Sequence, residues 1–346
     1  MANRSTLALF LVSGLTLSAC GGPSGPIDGG KAMAHVEALV KIGARPFGSD
    51  NLAKATDYLE GELKKIGLTP QRHEEMHAKE KKMIRNLYCM IEGEDPAGPI
   101  LMLGAHYDTK LTTGHAEWTH DKPFVGAIDG GGAPAVLIEI ARTLKNRAQK
   151  PKCNVLCYWI DAEESIDWTW NDDRALLGSQ AFYGHLKENG LTSRIKAFVL
   201  LDLIGSKNMK IDRDGNSATD LLDLFEQAAN EMGEGARMYE FPGEAVIAEL
   251  ARRGQKWGTT DDHLVFKNRG IPSVLLIDFS KRIPPENQNL RPGQQPEPKD
   301  PRYEQWWHSP DDDLAAMDPD SLAFAGNLVM QAFPKLEAFV TRKKGR

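Results

Sequence analysis

The stretch NVLCYWIDAEES, residues 154–165, decides how the chain folds. Its first part is apolar at consecutive positions from Val155 to Ile160, with none of the alternation of a half-exposed strand. It therefore reads as a strand buried on both faces. The run then ends in Asp161, Glu163 and Glu164. Adjacent glutamates at the end of a buried strand are costly to hold unless something positive compensates them. Neighbouring side chains on a strand point to opposite faces, so both can serve one site only if the chain turns at this end.

Working outward, further strands are RNLYCMIEG (85–93), PILMLGAHYD (99–108), AFVLLDLIG (197–205) and IPSVLLIDF (271–279). Helices alternate with them. SDNLAKATDYLEGELKKIG (49–67) opens with Ser49 or Asp50 as cap, sets Leu52, Ala55, Leu59, Leu63 and Ile66 on one face, and stops at Gly67. GAPAVLIEIARTLKN (132–146), GSQAFYGHLKEN (178–189), ATDLLDLFEQAANEMG (218–233) and PDSLAFAGNLVMQAFPKLEAFV (319–340) are the others. This alternation predicts an α/β fold: a single-domain three-layer sandwich over residues 31–340, with a mostly parallel mixed sheet covered by helices on both faces. Residues 281–305, rich in Pro, Asn and Gln, read as a long loop running into WWHSPDDD.

Three strands end in polar chemistry: His106 and Asp108, then Glu163 and Glu164, then Asp202. Asp129 follows in the loop GAIDGGGAP, and His308 after the long loop. Open α/β sheets bind ligands at the carboxyl ends of their strands. His106 and Asp108, two apart, face the same way. Carboxylates and histidines without neighbouring Lys or Arg point to a divalent cation, and mixed O and N donors without thiolate suit Zn²⁺. One glutamate would then serve the metal and the other would move a proton.

The 346 residues are 41% hydrophobic and 26% charged, as in soluble globular proteins. The net charge of −6 argues against a general nucleic-acid binder. MANRSTLALFLVSGLTLSAC reads as a signal peptide (1–19), too short to span a membrane stably, and Leu17–Cys20 resembles a bacterial lipobox. The expectation is an exported lipoprotein held to a cell-envelope membrane through a lipidated Cys20. Gly21 carries no inner-membrane retention signal. Residues 20–30 read as a flexible tether and 341–346 as a basic solvated tail. Cys153 and Cys157 lie about 13 Å apart along one strand, too far for a disulfide. Any bridge must use Cys89, and buried free thiols are the expectation.

With these residues the chain resembles the zinc-dependent aminopeptidase superfamily (peptidase M28). Within it the closest resemblance is to the glutaminyl-peptide cyclotransferases of the animal type, from about Arg45 to the last helix. HYDTK (106–110), FVGAIDGGGAP with Pro134, LLDLIG (200–205), DDHLVFKNRGIP (261–272) and WHSPDDD (307–313) carry that resemblance. It implies Asp129, Glu164 and His308 as ligands of one zinc, Glu163 as proton carrier, and Asp202 and Asp262 as an acidic network around it. It implies Trp307 and Trp170 as pocket walls, with Trp168 the weaker candidate, and peptide or protein N-termini as partners. The implied reaction closes an N-terminal glutamine to pyroglutamate with loss of ammonia.

An aminopeptidase would use the same residues, with His106 and Asp202 holding a second zinc and Asp129 bridging. A metal-free binding protein on the same fold is a third reading. The chain departs from animal relatives at Ala105 and Ala135, where they often carry a disulfide. It also carries a polar segment, TTGHAEWTHDKP (112–123), of no assigned role, whose His115 and His120 read as solvated.

Overall fold

The run from Asn154 to Ile160 is buried at every position because it lies inside a sheet, with strands on both sides and helices above and below. A computed structural model describes residues 25–239, 242–279 and 306–342. The strands are β1 (Gln71–Met76), β2 (Met83–Ile91), β3 (Ile100–His106), β4 (Asn154–Ile160), β5 (Ile195–Asp202) and β6 (Ser273–Ile277). They are ordered β1-β2-β4-β3-β5-β6. β4, β3, β5 and β6 run parallel, and β2 and β1 add an antiparallel edge. The parallel strands therefore end on one rim, which carries His106 and Asp202.

The helices are α1 (Gly29–Ile42), α2 (Asp50–Lys65), α3 (Ala133–Lys145), α4 (Leu177–Glu188), α5 (Thr219–Glu231), α6 (Glu244–Arg252), α7 (Asp262–Lys267) and α8 (Pro319–Thr341). α1, α3, α5 and α8 pack on one another over one face, while α4 and α7 pack together against β2, β5 and β6. The result is the expected α/β sandwich. Ser49 caps α2, its hydroxyl accepting from the Leu52 N–H, and Leu52, Ala55, Leu59 and Leu63 are buried as the spacing predicted.

Four elements were not read from the sequence. β1 is almost wholly exposed, so it has no apolar pattern to betray it. α6 and α7 are short. α1 overturns the tether boundary: Ile27 is buried, its N–H donates to Asn327 Oδ1 at 2.9 Å, and Asp28 caps a helix that starts at Gly29. Packing against α8 orders a glycine-rich segment that composition alone makes flexible. The signal peptide, the lipobox with Cys20, the loop 281–305 and most of the basic tail lie outside the described residues. No helix among the described residues is long and apolar enough to cross a membrane. Cys89, Cys153 and Cys157 are buried free thiols, with Cys89 directly opposite Cys157 across the β2–β4 pairing.

Candidate active site

The two glutamates reach one site because the chain leaves β4 by a left-handed turn. Ala162 has φ +54, a conformation that costs a residue with a Cβ about 1 kcal/mol or more. The turn is held from both sides. The Asp108 carboxylate accepts the N–H groups of Glu163 (3.2 Å) and Glu164 (3.3 Å). The start of α4 donates back, Leu177 N–H to the Ala162 carbonyl at 2.8 Å and Leu176 N–H to that of Glu163 at 2.9 Å.

Asp129 lies in an irregular turn just before α3, and a second carboxylate fixes it. Asp312 accepts from the N–H groups of Ile128 (2.7 Å) and Asp129 (3.0 Å). The next residue must be glycine: Gly130 has φ +85, and a Cβ there would lie 2.0 Å from the Asp108 carbonyl oxygen. Buried Arg45 ties the same loop down through the carbonyls of Tyr107 (3.0 Å), Val125 (2.9 Å) and Gly126 (3.0 Å).

These devices bring two donor sets together, each with its ligand atoms within 4.8 Å of one another: Asp129, Glu164 and His308, and His106, Asp129 and Asp202. His308 Nε2 lies 3.1 Å from Glu164 Oε1 and 3.3 Å from Asp129 Oδ2. His106 Nε2 lies 2.8 Å from Asp202 Oδ1 and 3.4 Å from Asp129 Oδ1. Lys110 sits behind Glu164 at 3.5 Å and donates to the carbonyls of Ser165 (2.7 Å) and Asp167 (3.0 Å).

The charges do not balance. Burial, then the Glu164 charge, pushes Asp129 up to about 6 against His308 and His106. Burial raises Glu163 well above the carboxylate range, opposed by His106 and reinforced by Asp261, Glu164 and Asp262. Glu164 goes the other way: burial is outweighed by His308 and Lys110, which hold it at about 2. Burial, Asp202 and Asp262 push Asp261 far up as well. Carboxylates that cannot all ionise together, with Asp129 Oδ2 buried and lacking a well-aligned hydrogen bond, make a site short of positive charge. Two oxygen donors and one nitrogen donor fit a divalent metal with an open position, as at catalytic zinc.

Beside the donors is a cavity of about 300 Å³. Glu163, Asp202 and Asp261 line it as an acidic trio, and Trp170, Trp257, Trp307, Ile277 and Phe279 supply aromatic and apolar walls. Trp307 stacks on His308 with centroids 3.9 Å apart. Trp170 lines the cavity; Trp168 does not, and its ring lies 6.4 Å from that of His308.

Asp262, expected in the acidic network around Glu163, reaches it only through its charge. Its fully buried carboxylate turns away from the cavity and accepts from Ser179 Oγ at 2.5 Å, and Asp261 takes the place at the lining. Which member of an acidic doublet faces inward is set by capping: Asp261 caps α7, and Asp262 starts its first turn. Sequence reading also missed Asp312, hidden in an acidic run that looks solvated, and Trp257 and Phe279, which carry no local signal. The segment 112–123 gains a role. Trp118 packs on Phe124 (6.2 Å) and Trp168 (6.4 Å), and Phe124 stands edge-on to His308 at 5.8 Å. His115 packs on Trp168 rather than standing free in solvent.

The sequence profile of peptidase family M28 matches residues 86–333, most of the chain. The chain belongs to peptidase family M28. Within that family it is 23% identical over 235 residues to the glutaminyl-peptide cyclotransferase of Drosophila melanogaster, covering 63% of this chain and 56% of that protein. The chain spans about half the length of the curated relatives it matches. A glutaminyl cyclase structure from an Acidobacteriales bacterium superposes with a TM-score of 0.72 at 25% identity, covering 94% of this chain and 99% of that one. A Zn-dependent exopeptidase structure from Parabacteroides distasonis shares the fold, with a TM-score of 0.68 at 24% identity, covering 91% and 99% of the two chains.

Proposed function

We propose that this M28 chain is a zinc-dependent glutaminyl cyclase, converting an N-terminal glutamine of peptides or proteins to pyroglutamate. The observation that carries the reading is the acidic trio Glu163, Asp202 and Asp261 lining a tryptophan-walled cavity beside the Asp129–Glu164–His308 donors. An acidic wall suits an α-amine, and the aromatic walls suit a short amide side chain kept from water.

Zinc held by Asp129, Glu164 and His308 would polarise the γ-amide carbonyl as a Lewis acid. Asp202 and Asp261 orient the amine, and Glu163 accepts its proton. The amine nitrogen bonds to the γ-amide carbon, the bond from that carbon to the amide nitrogen breaks, and Glu163 returns the proton to the departing ammonia. The attack is intramolecular, so positioning and one proton carrier supply most of what the reaction needs. The ordinarily poor basicity of a carboxylate is offset by the burial that raises Glu163.

A second reading rests on the other donor set. His106, Asp129 and Asp202, together with the first triad, would supply donors for two metal ions, as an aminopeptidase needs, and Glu163 would then take the proton of a water. Incubation with a Gln-Ala and a Leu-Ala peptide separates the readings. Ammonia release with the peptide bond intact supports the cyclase. Free leucine without ammonia from the glutamine peptide overturns it in favour of the peptidase, and turnover of neither overturns both. The proposal includes attachment to a cell-envelope membrane through lipidated Cys20, supported by the lipobox reading. Loss of palmitate labelling on Cys20→Ala is expected, and unchanged labelling would refute it.

A further inference from the structure

The stretch Trp257–Asp261, one wall of the cavity, belongs to no strand or helix until Asp261 caps α7. Its backbone groups need partners from elsewhere, and the loop 212–217 between β5 and α5 provides them. Asp214 is the centre of that loop and is fully buried. Its Oδ1 accepts the N–H of Thr259 at 2.8 Å and of Asn216 at 3.2 Å. Its Oδ2 accepts the Ser217 hydroxyl at 2.7 Å and lies 3.3 Å from Nε2 of buried His263.

Two further bonds join the segments: Asn216 Nδ2 donates to the Thr259 carbonyl at 2.9 Å, and Gly215 N–H to that of Trp257 at 3.0 Å. The fit is tight enough to demand glycine at 258, where a Cβ would lie 2.6 Å from Asn216 Cγ. The loop is itself fixed to β6. Asp212 N–H donates to the Ile277 carbonyl at 2.8 Å, and Ser217 Oγ accepts from Leu275 N–H at 2.9 Å.

Thr259 and His263 bracket Asp261, so one buried carboxylate touches the chain on both sides of the acid that faces the cavity. We propose that Asp214 is a positioning residue of the active site, fixing the Trp257–Asp261 wall so that Asp261 meets the substrate amine. The inference rests on the reading that the cavity takes a peptide N-terminus, and it holds for either enzyme reading because both bind an α-amine. A purely structural carboxylate would lower stability and leave substrate affinity alone. A positioning one moves affinity while the metal site, built on other elements, stays intact.

The test uses the full chain loaded with zinc and the peptide that the wild type turns over, reading KM and kcat separately, with metal content and thermal midpoint alongside. Asp214→Ala is expected to raise KM tenfold or more, with kcat changed less than threefold and metal content unchanged. Asp214→Asn, which keeps an acceptor for Thr259, is expected to recover part of that affinity. Wild-type KM in Asp214→Ala, or loss of metal together with activity, overturns the proposal. If Asp214→Ala fails to fold, Asn216→Ala and Gly258→Ala carry the test by loosening the wall with Asp214 in place. Unchanged KM in both refutes it. If the wild type turns over neither peptide, the functional reading falls, and the wall is judged by the calorimetric Kd of the Gln-Ala peptide, which must still weaken tenfold in the variants.

Discussion

Glu163 and Glu164 are adjacent, equally buried and chemically identical, so replacing each by glutamine isolates what position does. Glutamine preserves volume and removes charge. Glu164 is held low, at about 2, so its carboxylate stays charged where burial alone would neutralise it. His308 at 3.1 Å and Lys110 at 3.5 Å hold it there, working against burial. A neutral amide at 164 cannot draw on them and is a poor metal ligand. Glu164→Gln is therefore expected to weaken zinc binding by about a hundredfold, the upper end of what losing even a residue that supports a metal ligand costs.

Glu163 is not in the Asp129–Glu164–His308 donor set and lines the cavity beside it, where a proton carrier would meet the substrate. Glu163→Gln should bind zinc within about threefold of wild type and lose about 10²–10⁴ in kcat, the range for removing a general acid–base group. Competition of zinc against a chromophoric chelator gives the affinities, and ammonia release at saturating metal gives kcat. Zinc affinity that falls in Glu163→Gln and survives in Glu164→Gln would reverse the assignment. Near wild-type kcat in Glu163→Gln would remove the proton carrier from the mechanism.

Asp312→Ala leaves the N–H groups of Ile128 and Asp129 without their acceptor, and it should cost about 2–4 kcal/mol of stability and about tenfold or more in zinc affinity; thermal melts with and without metal check both, and an unchanged affinity would refute the support role. His73 is held down at about 4 by burial and then by the neighbouring His185, despite Glu75 at 3.6 Å. A base depressed below its unfolded value of 6.5 stabilises the fold fully above that pH and loses the contribution as pH falls toward 4, here about 2 kcal/mol after allowing for partial solvent screening. The stability gap between wild type and His73→Gln should therefore shrink between pH 7.5 and 4.5, and a constant gap contradicts it. Burial drives Cys153 up to about 12, and the neighbouring Cys89 thiol, then burial, push Cys157 well above the ordinary thiol value. Cys89, Cys153 and Cys157 should resist alkylation at pH 8 in the folded protein and react in denaturant, as mass spectrometry would read; rapid native labelling would place them wrongly.

The alternation of apolar runs with amphipathic repeats was enough to specify an α/β sandwich, because burial on both faces and helical periodicity are written in consecutive residues. Capping was equally local, as Ser49 and Gly67 show. The donor types were legible too: His106, Asp129, Glu164, Asp202 and His308 stand out because polar groups at the ends of buried strands are expensive. β1, exposed along its length, and α1, which begins in a glycine-rich stretch, were invisible because pairing and docking hold them rather than a pattern of their own.

The sequence by itself determined the chemistry available on the rim of the sheet. Only the tertiary structure decided its arrangement. The left-handed Ala162 turns Glu163 and Glu164 into one site, and Asp108 and Asp312, distant in the chain, hold that turn and the Asp129 loop. Asp261 rather than Asp262 faces the cavity because a helix begins between them, and Asp214 reaches Thr259 across 45 residues. Such contacts depend on which backbone N–H groups are left without partners when strands and helices close. That is a property of the assembled chain, and no single segment carries it.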